Sequence, residues 1–223
     1  AVGIVAGFLN TVAGGGSMLS LPAMIFLGIP ATVANGTNRI AIIAQALPAS
    51  IVFFKQGFHH YSLSLSLGLT LIPGAIVGAY FGANIDDDIF NKLVALILAL
   101  TSISMIFKNS QTKTFQIKEG CRNTLSRPIL IHALVFLLGF YGGVIHIGIG
   151  FLIMFILNKI GGLNLVQTNM HKVIIVVPYS FASLVIFWTE SSVMWQAGLS
   201  LAIGNMLGGW IGAHVTLKDN GKF

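Results

Sequence analysis

The sequence predicts an all-α polytopic membrane protein built from two inverted homologous repeats, and three observations lead to this class. Of the 223 residues, 55% are hydrophobic and 8% are charged, against roughly 25% charged in a typical soluble domain. Several apolar runs reach the ~20 residues that a helix needs to cross the hydrocarbon core. Two parts of the chain also align with each other, which indicates an internal duplication.

The apolar runs lie between polar breaks, and we expect each run to be helical. They cover 2–28, 32–56, 62–85, 88–107, 129–158, 164–189 and 191–217. The polar stretch 108–128 is expected to be a cytoplasmic linker between a first transmembrane repeat, 1–107, and a second, 129–223. A soluble chain of this length could not cover so many apolar helices on every face, so soluble folds are excluded.

The duplication is visible when GAIVGAYFGA, residues 74–83, is laid over GNMLGGWIGA, residues 204–213. Glycine recurs at every fourth position in both segments. Such stripes predict close helix packing, either within the chain or across a homodimer. ASIVFF at 49–54 likewise matches ASLVIF at 182–187, and the same register places Arg39 opposite Lys172.

Glycine interrupts the first apolar segment of each repeat near its middle. The interruption is GGGS at 14–17 in the first repeat and GFYGGVIHIGIG at 139–150 in the second. Each arm has about 12 to 15 residues, which is too short to cross the membrane alone. Each pair of arms therefore forms either one kinked span or a re-entrant hairpin.

The charges favour hairpins, because cytoplasmic loops are enriched in Lys and Arg. With hairpins, Asp86, Asp87, Asp88 and Glu190 share one side, with Lys92 near it. The opposite side then collects Lys55, Lys108, Lys113, Lys118, Arg122, Arg127, Lys159, Lys218 and Lys222. Hairpins give each repeat an odd number of crossings, so the second repeat is inverted relative to the first. Inverted repeats with broken helices are frequent in transporters.

The broken helices predict an anion site near the midplane. Glycine lets the backbone turn, and the amides freed at the start of the next half-helix favour negative charge. In the first repeat these amides belong to Gly14, Gly15, Gly16 and Ser17. Irregular backbone at this depth requires burial in protein or a polar cavity.

Two cations lie within the apolar segments. Arg39 is about seven residues inside its segment, roughly 10 Å deep, and the duplication places Lys172 at an equivalent depth from the other face. All 6 carboxylates fall in loops or at helix ends, so we expect the two cations to meet an anion. Snorkelling of Arg39 to the interface is the alternative. Further donors on the same segments are Asn35, Asn38, Gln45, Asn169 and His171.

His146 lies in the second break, where Gly14 stands in the first. It is either a packed, satisfied side chain or a group that donates to substrate or carries a proton. A hydrolase with Ser17 as nucleophile and His146 as base is a second hypothesis, but the segments offer no acid to orient the base. An anion channel, or a sensor without turnover, is a third hypothesis.

Several classes of partner are not expected. Cys121 is the only cysteine and lies in the linker, so the sequence predicts no metal site, disulfide or cofactor. The formal net charge of +6 reports membrane orientation rather than nucleic-acid binding. The expected partners are membrane lipid and a small anionic substrate, and we expect no catalytic residues.

Three motifs carry a resemblance to a known family: a glycine-rich first helix ending in SMLSLP, the turn GIPATVANGTNR and the helix IPGAIVGAYFGA. They resemble the TauE/SafE sulfite exporters, also called the toluene sulfonate uptake permease superfamily. The resemblance implies a bacterial inner-membrane permease for small sulfur oxyanions or sulfonates, built from two similar halves. The leading hypothesis is export of sulfite or a related small sulfur oxyanion or sulfonate between the two glycine breaks. Members commonly have eight helices. This chain ends before any counterpart of 88–107, so the last helix is expected to be missing.

Overall fold

The computed structural model describes residues 1–57, 61–107, 127–191 and 193–218, and within these ranges it is helical with no strand. The first half contains α1 (Val2–Val12), α2 (Ser17–Phe26), α3 (Ala31–Lys55), α4 (Tyr61–Asn84) and α5 (Asp87–Phe107). The second half contains α6 (Pro128–Val144), α7 (Ile149–Phe155), α8 (Leu165–Glu190) and α9 (Trp195–Lys218). A π-helical turn, Ile156–Ile160, extends α7.

The all-α membrane fold predicted from the sequence is confirmed. Among the described residues, α3, α4 and α8 are long and apolar enough to cross a membrane. The predicted segments 2–28 and 129–158 are each divided into two helices at their glycines. The linker lies outside the described residues except for its last two positions, as do Cys121 and Lys222.

Side chains fix the starts of the long helices. Asn164 forms a capping box with Gln167 at the start of α8, in which each side chain bonds the other residue's backbone amide. At the start of α3, the backbone and hydroxyl of Thr32 donate to Asp87 Oδ1 at 3.0 and 2.9 Å. Asp87 therefore joins the first turn of α5 to the first turn of α3.

The glycine stripes pack against other helices of the same chain, which is one of the two predicted alternatives. The α4 stripe lies against α6, and a Cβ at Gly74 would stand 2.6 Å from the Phe136 carbonyl. The α9 stripe lies against α1, and a Cβ at Gly208 would stand 2.6 Å from the Phe8 amide. Each half thus packs its fourth helix on the first helix of the other half.

The contacts also fix the directions of the helices. Helix α9 runs parallel to α1, since Gly204 lies against Gly3 and Gly212 against Thr11. It also runs parallel to α3, while α4 runs parallel to both α6 and α8. One end of the bundle therefore carries Asp86, Asp87, Asp88 and Glu190, and we call it the acidic end. The other, the basic end, carries Lys55, Arg127, Lys159 and Lys218.

Replacing Gly74 by Leu is expected to destabilise the protein, because the new side chain would have to displace the α6 backbone. Overpacking of this kind costs about 1–3 kcal/mol, so the midpoint of thermal unfolding in detergent should fall by several degrees. The control is Val77→Leu on the same helix, where Val77 is 51% exposed. Equal midpoints for the two variants would contradict the close α4–α6 contact.

Candidate functional site

The two glycine breaks meet at the centre of the molecule. Gly14 has φ +86° and Gly148 has φ +72°, values that favour glycine over any other residue. The backbone of Gly14 lies directly against Gly150, and a Cβ on Gly150 would stand 2.5 Å from Gly14 Cα. No side chain separates the two main chains at this point.

The chain turns back after Gly14. Gly16 lies against Ala6 and Asn10, and a Cβ on Gly16 would stand 2.5 Å from Asn10 Cβ. In one continuous helix, residues 6 and 16 would be about 15 Å apart along the axis. Helix α2 therefore begins beside α1 instead of extending it.

Arg39, on α3, caps the end of α6 in the other half. Its Nη2 donates to the carbonyl of Gly143 at 3.0 Å, and Asn35 Nδ2 donates to the carbonyl of Val144 at 2.9 Å. These carbonyls belong to the last turn of α6, where a helix leaves acceptors without partners. Arg39 is fully buried, so it does not snorkel to the interface.

Arg39 also bonds His146 in the second break. The distance from Nη1 to His146 Nδ1 is 3.0 Å. Because a guanidinium can only donate, Nδ1 must be the acceptor and the neutral ring carries its proton on Nε2. The Tyr179 hydroxyl lies 3.0 Å from the same Nδ1, and the two rings stack with centroids 5.5 Å apart. The Nε of Arg39 has no hydrogen-bond partner among the described residues.

Lys172, on α8, caps the carboxyl end of α1, as Arg39 caps the carboxyl end of α6. Its ammonium donates to the carbonyls of Asn10 and Thr11 and to Asn169 Oδ1, each at 2.8 Å. Asn169 Nδ2 in turn donates to the carbonyl of Val12 at 3.0 Å. An ammonium has three N–H groups, so these three oxygens account for all of them.

The reciprocal caps give the centre a positive bias. A helix carries partial negative charge at its carboxyl end, and each such end here faces a buried cation. The carboxylates of the described residues, Asp86, Asp87, Asp88 and Glu190, are not buried and lie at the acidic end. The amide end of α2 carries partial positive charge, and no carboxylate of the described residues lies next to it to neutralise that charge.

A cluster of hydroxyl and amide groups surrounds the amide end of α2. Asn38 Nδ2 donates to Ser17 Oγ at 3.2 Å, and Ser20 Oγ donates to Asn38 Oδ1 at 2.7 Å. All three side chains are buried. Ser20 was not predicted from the sequence, although its spacing of three from Ser17 places both side chains on one face of α2.

A small cavity of about 10 Å³ lies next to the breaks. Its lining residues are Asn10, Gln45, Ala46, His146, Gly150, Lys172, Val173 and Val176. This volume holds about one water molecule. Asn10 donates to Gln45 Oε1 at 2.8 Å and Gln45 donates to Thr11 Oγ1 at 3.0 Å, so amides close one wall.

The structure does not gather all the predicted residues. It brings the first break, Asn35, Asn38 and Arg39 together with His146, Asn169 and Lys172. His171 is directed toward α4, where its Nδ1 lies 2.7 Å from Ser64 Oγ. Among the described residues, Ser17 and His146 share no hydrogen bond, so the nucleophile and base of the hydrolase hypothesis are not paired.

Lys172→Met should destabilise the protein, because the variant keeps the length of the side chain but removes the ammonium that donates to the Thr11 carbonyl and to Asn169 Oδ1. The Asn10 carbonyl keeps a bond from the Gly14 amide. We expect a loss of at least about 2 kcal/mol, measured as a lower midpoint of thermal unfolding. Lys92→Met removes an exposed lysine from α5 and serves as the control. A Lys172→Met midpoint equal to that of the control would show that Lys172 does not hold α1.

Comparisons with known proteins find the same kind of protein, a membrane transporter, over nearly the whole chain. The profile of the sulfite exporter TauE/SafE family matches residues 1–223. The chain is 24% identical over 218 residues to the probable membrane transporter protein ORF9 of Sinorhizobium, covering 98% of this chain and 82% of that protein. It is 26% identical over 217 residues to a probable membrane transporter protein of Haemophilus influenzae, covering 97% and 83%.

A third relative is the probable membrane transporter protein YfcA of Escherichia coli K12, 22% identical over 222 residues, with 99% of this chain and 80% of YfcA covered. No solved structure matches significantly. The family match spans every residue, and the helices are those of a membrane protein. This chain is therefore a membrane transporter of the TauE/SafE sulfite exporter family.

Proposed function

We propose that this transporter exports sulfite, or a related small sulfur oxyanion or sulfonate, across the bacterial inner membrane. One observation carries the proposal: two buried cations stand where two broken helices meet, with no buried carboxylate among the described residues. Such a centre stabilises a small anion. The family name supplies the sulfur oxyanion, and the relatives are named as probable membrane transporters.

The architecture that we propose is a pair of inverted repeats, each with a re-entrant hairpin. The contacts of α4 with α6 and of α9 with α1 support it, because each repeat offers the same surface to the other. The reversal at Gly14 supports a hairpin that enters and leaves at the acidic end. We propose that the basic end faces the cytoplasm, in agreement with the positive-inside rule.

The anion is proposed to bind at the first turn of α2. The amides of Gly15, Gly16 and Ser17 form the amide end of α2. The Ser17 hydroxyl and the second N–H of Asn38 Nδ2 supply further donors, and Ser20 holds the Asn38 amide through Oδ1. Arg39 completes the site because its guanidinium has donor capacity beyond its two bonds. Lys172 does not bond the anion in this proposal, because its three N–H groups already bond α1 and Asn169; it contributes only its positive charge nearby.

Binding requires movement, because a cavity of about 10 Å³ does not admit a sulfur oxyanion. This small volume favours a carrier that changes shape over an open channel or a static sensor. The anion replaces His146 as an acceptor for Arg39, and the freed His146 Nδ1 is then the group that takes up a proton if transport is coupled. An inside-negative potential favours anion exit by about 2.3 kcal/mol per charge per 100 mV.

The orientation can be tested by labelling single cysteines from outside the cell. Cysteines replacing Lys55, Lys159 and Lys218, in a Cys121→Ser background, are expected to be protected from an impermeant maleimide. A cysteine replacing Glu190 is expected to react. If the broken helices crossed the membrane completely, positions 159 and 218 would react from outside and position 190 would not, which would contradict the hairpins.

Transport is tested with purified protein in vesicles loaded with radiolabelled sulfite, with an imposed potassium diffusion potential driving efflux. Arg39→Ala should abolish the flux. Asn38→Ala should lower it about tenfold or more, because it removes a hydrogen bond to a charged ligand. Ser20→Ala should have a similar effect, because it releases the Asn38 amide that makes this bond. The matched control is Asn84→Ala, since Asn84 is an exposed amide that bonds its own helix at Tyr80.

Each variant is compared at equal reconstituted amount and after a thermal unfolding scan, so that loss of fold is separated from loss of transport. Unchanged flux in Asn38→Ala and Ser20→Ala would remove the site from the first turn of α2. Absence of potential-driven sulfite or sulfonate flux in the wild-type protein would overturn the proposed function itself.

A further inference from the structure

A second cavity, of about 260 Å³, lies between α3 and α9 near the basic end. Its lining residues are Pro48, Ile51, Val52, Lys55, Gln56, Trp210 and His214. Lys55 is sixteen residues beyond Arg39 on the same helix, which is about 24 Å along the axis. This interfacial pocket is therefore separate from the central anion site.

The interfacial pocket has an apolar wall and a polar rim. Pro48, Ile51 and Val52 form the wall on α3, and Lys55 and Gln56 form the rim at the end of that helix. Ile51 is 56% exposed and Trp210 is 50% exposed, so the wall opens sideways to the surface that lipid covers. A ligand here touches acyl chains and headgroups at the same time.

His214 is oriented toward the same rim. Its Nδ1 lies 2.9 Å from the Trp210 carbonyl, which can only accept, so Nδ1 carries a proton. The ring also lies against the Trp210 ring, with centroids 4.5 Å apart. Nε2 is thereby left as the ring nitrogen that can bond a ligand.

The corresponding place in the other half lacks this chemistry. In the alignment of the two repeats, Trp188 and Thr189 stand where Lys55 and Gln56 stand. Tyr80 and Asn84 stand where Trp210 and His214 stand. The packing of the two halves thus does not require a basic rim. Among the described residues, the basic side chains Lys55 and His214 have no basic counterpart at the corresponding place in the other half.

We propose that the interfacial pocket binds the headgroup of an anionic phospholipid. The phosphate lies between Lys55 and His214, and the start of an acyl chain follows Ile51 and Trp210. Basic pockets between transmembrane helices are known to hold anionic headgroups. The bound lipid joins α9 to α3, the helix that carries Asn38 and Arg39, and so links the leaflet at the basic end to the central site.

The test is native mass spectrometry of the purified protein with phosphatidylglycerol and, separately, phosphatidylcholine. The wild-type protein should bind one phosphatidylglycerol more tightly than phosphatidylcholine. Lys55→Gln should weaken phosphatidylglycerol binding about fivefold, which corresponds to one cation near the membrane surface. Lys55→Gln combined with His214→Asn should remove the preference altogether.

Lys159→Gln is the matched control, because it removes one exposed lysine from the same end but not from the pocket. An unchanged preference in the double variant, or the same loss in Lys159→Gln, would overturn the proposal. So would displacement of the lipid by millimolar glycerol 3-phosphate, since the pocket would then be a site for a soluble phosphate ester. The result is independent of sulfite transport, because no transported anion is present.

Discussion

The centre of this protein depends on one reciprocal interaction: a cation of each half holds the carbonyl end of the broken helix in the other half. A helix that ends within the hydrocarbon region leaves its last carbonyls without hydrogen-bond donors, and lipid offers none. Arg39 with Asn35, and Lys172 with Asn169, supply those donors from α3 and α8. Without them the breaks would be too costly to keep.

The same interaction makes the two halves interdependent. The donors for α1 come from α8 and those for α6 come from α3, while the α4 and α9 stripes also pack across the halves. Neither half can satisfy its own broken helix. In the proposed function the two cations serve two purposes, because they stabilise the carboxyl ends and they offset the partial negative charge that would repel an anion.

Much of the fold follows from composition and periodicity, because long apolar runs and glycine spacings act locally. The depth of Arg39 and Lys172, and their equivalence, could also be predicted from the duplication. Their partners could not, because backbone carbonyls have no sequence signature and an acceptor 100 residues away is invisible to local patterns. The position of a residue along a helix also does not give its rotation about the helix axis. His171 was therefore predicted as a further donor near the two cations, but it is directed toward Ser64 on α4.

If the proposed anion passes between the two glycine breaks, the contact between Gly14 and Gly150 limits how the centre can select it. Where two main chains touch, no rotamer change can widen the passage. A passage between Gly14 and Gly150 could open only if one half-helix moved past the other as a rigid body. The size of the anion that fits would then be set by how far the half-helices move, whereas its charge would be selected by the side chains around the glycine contact.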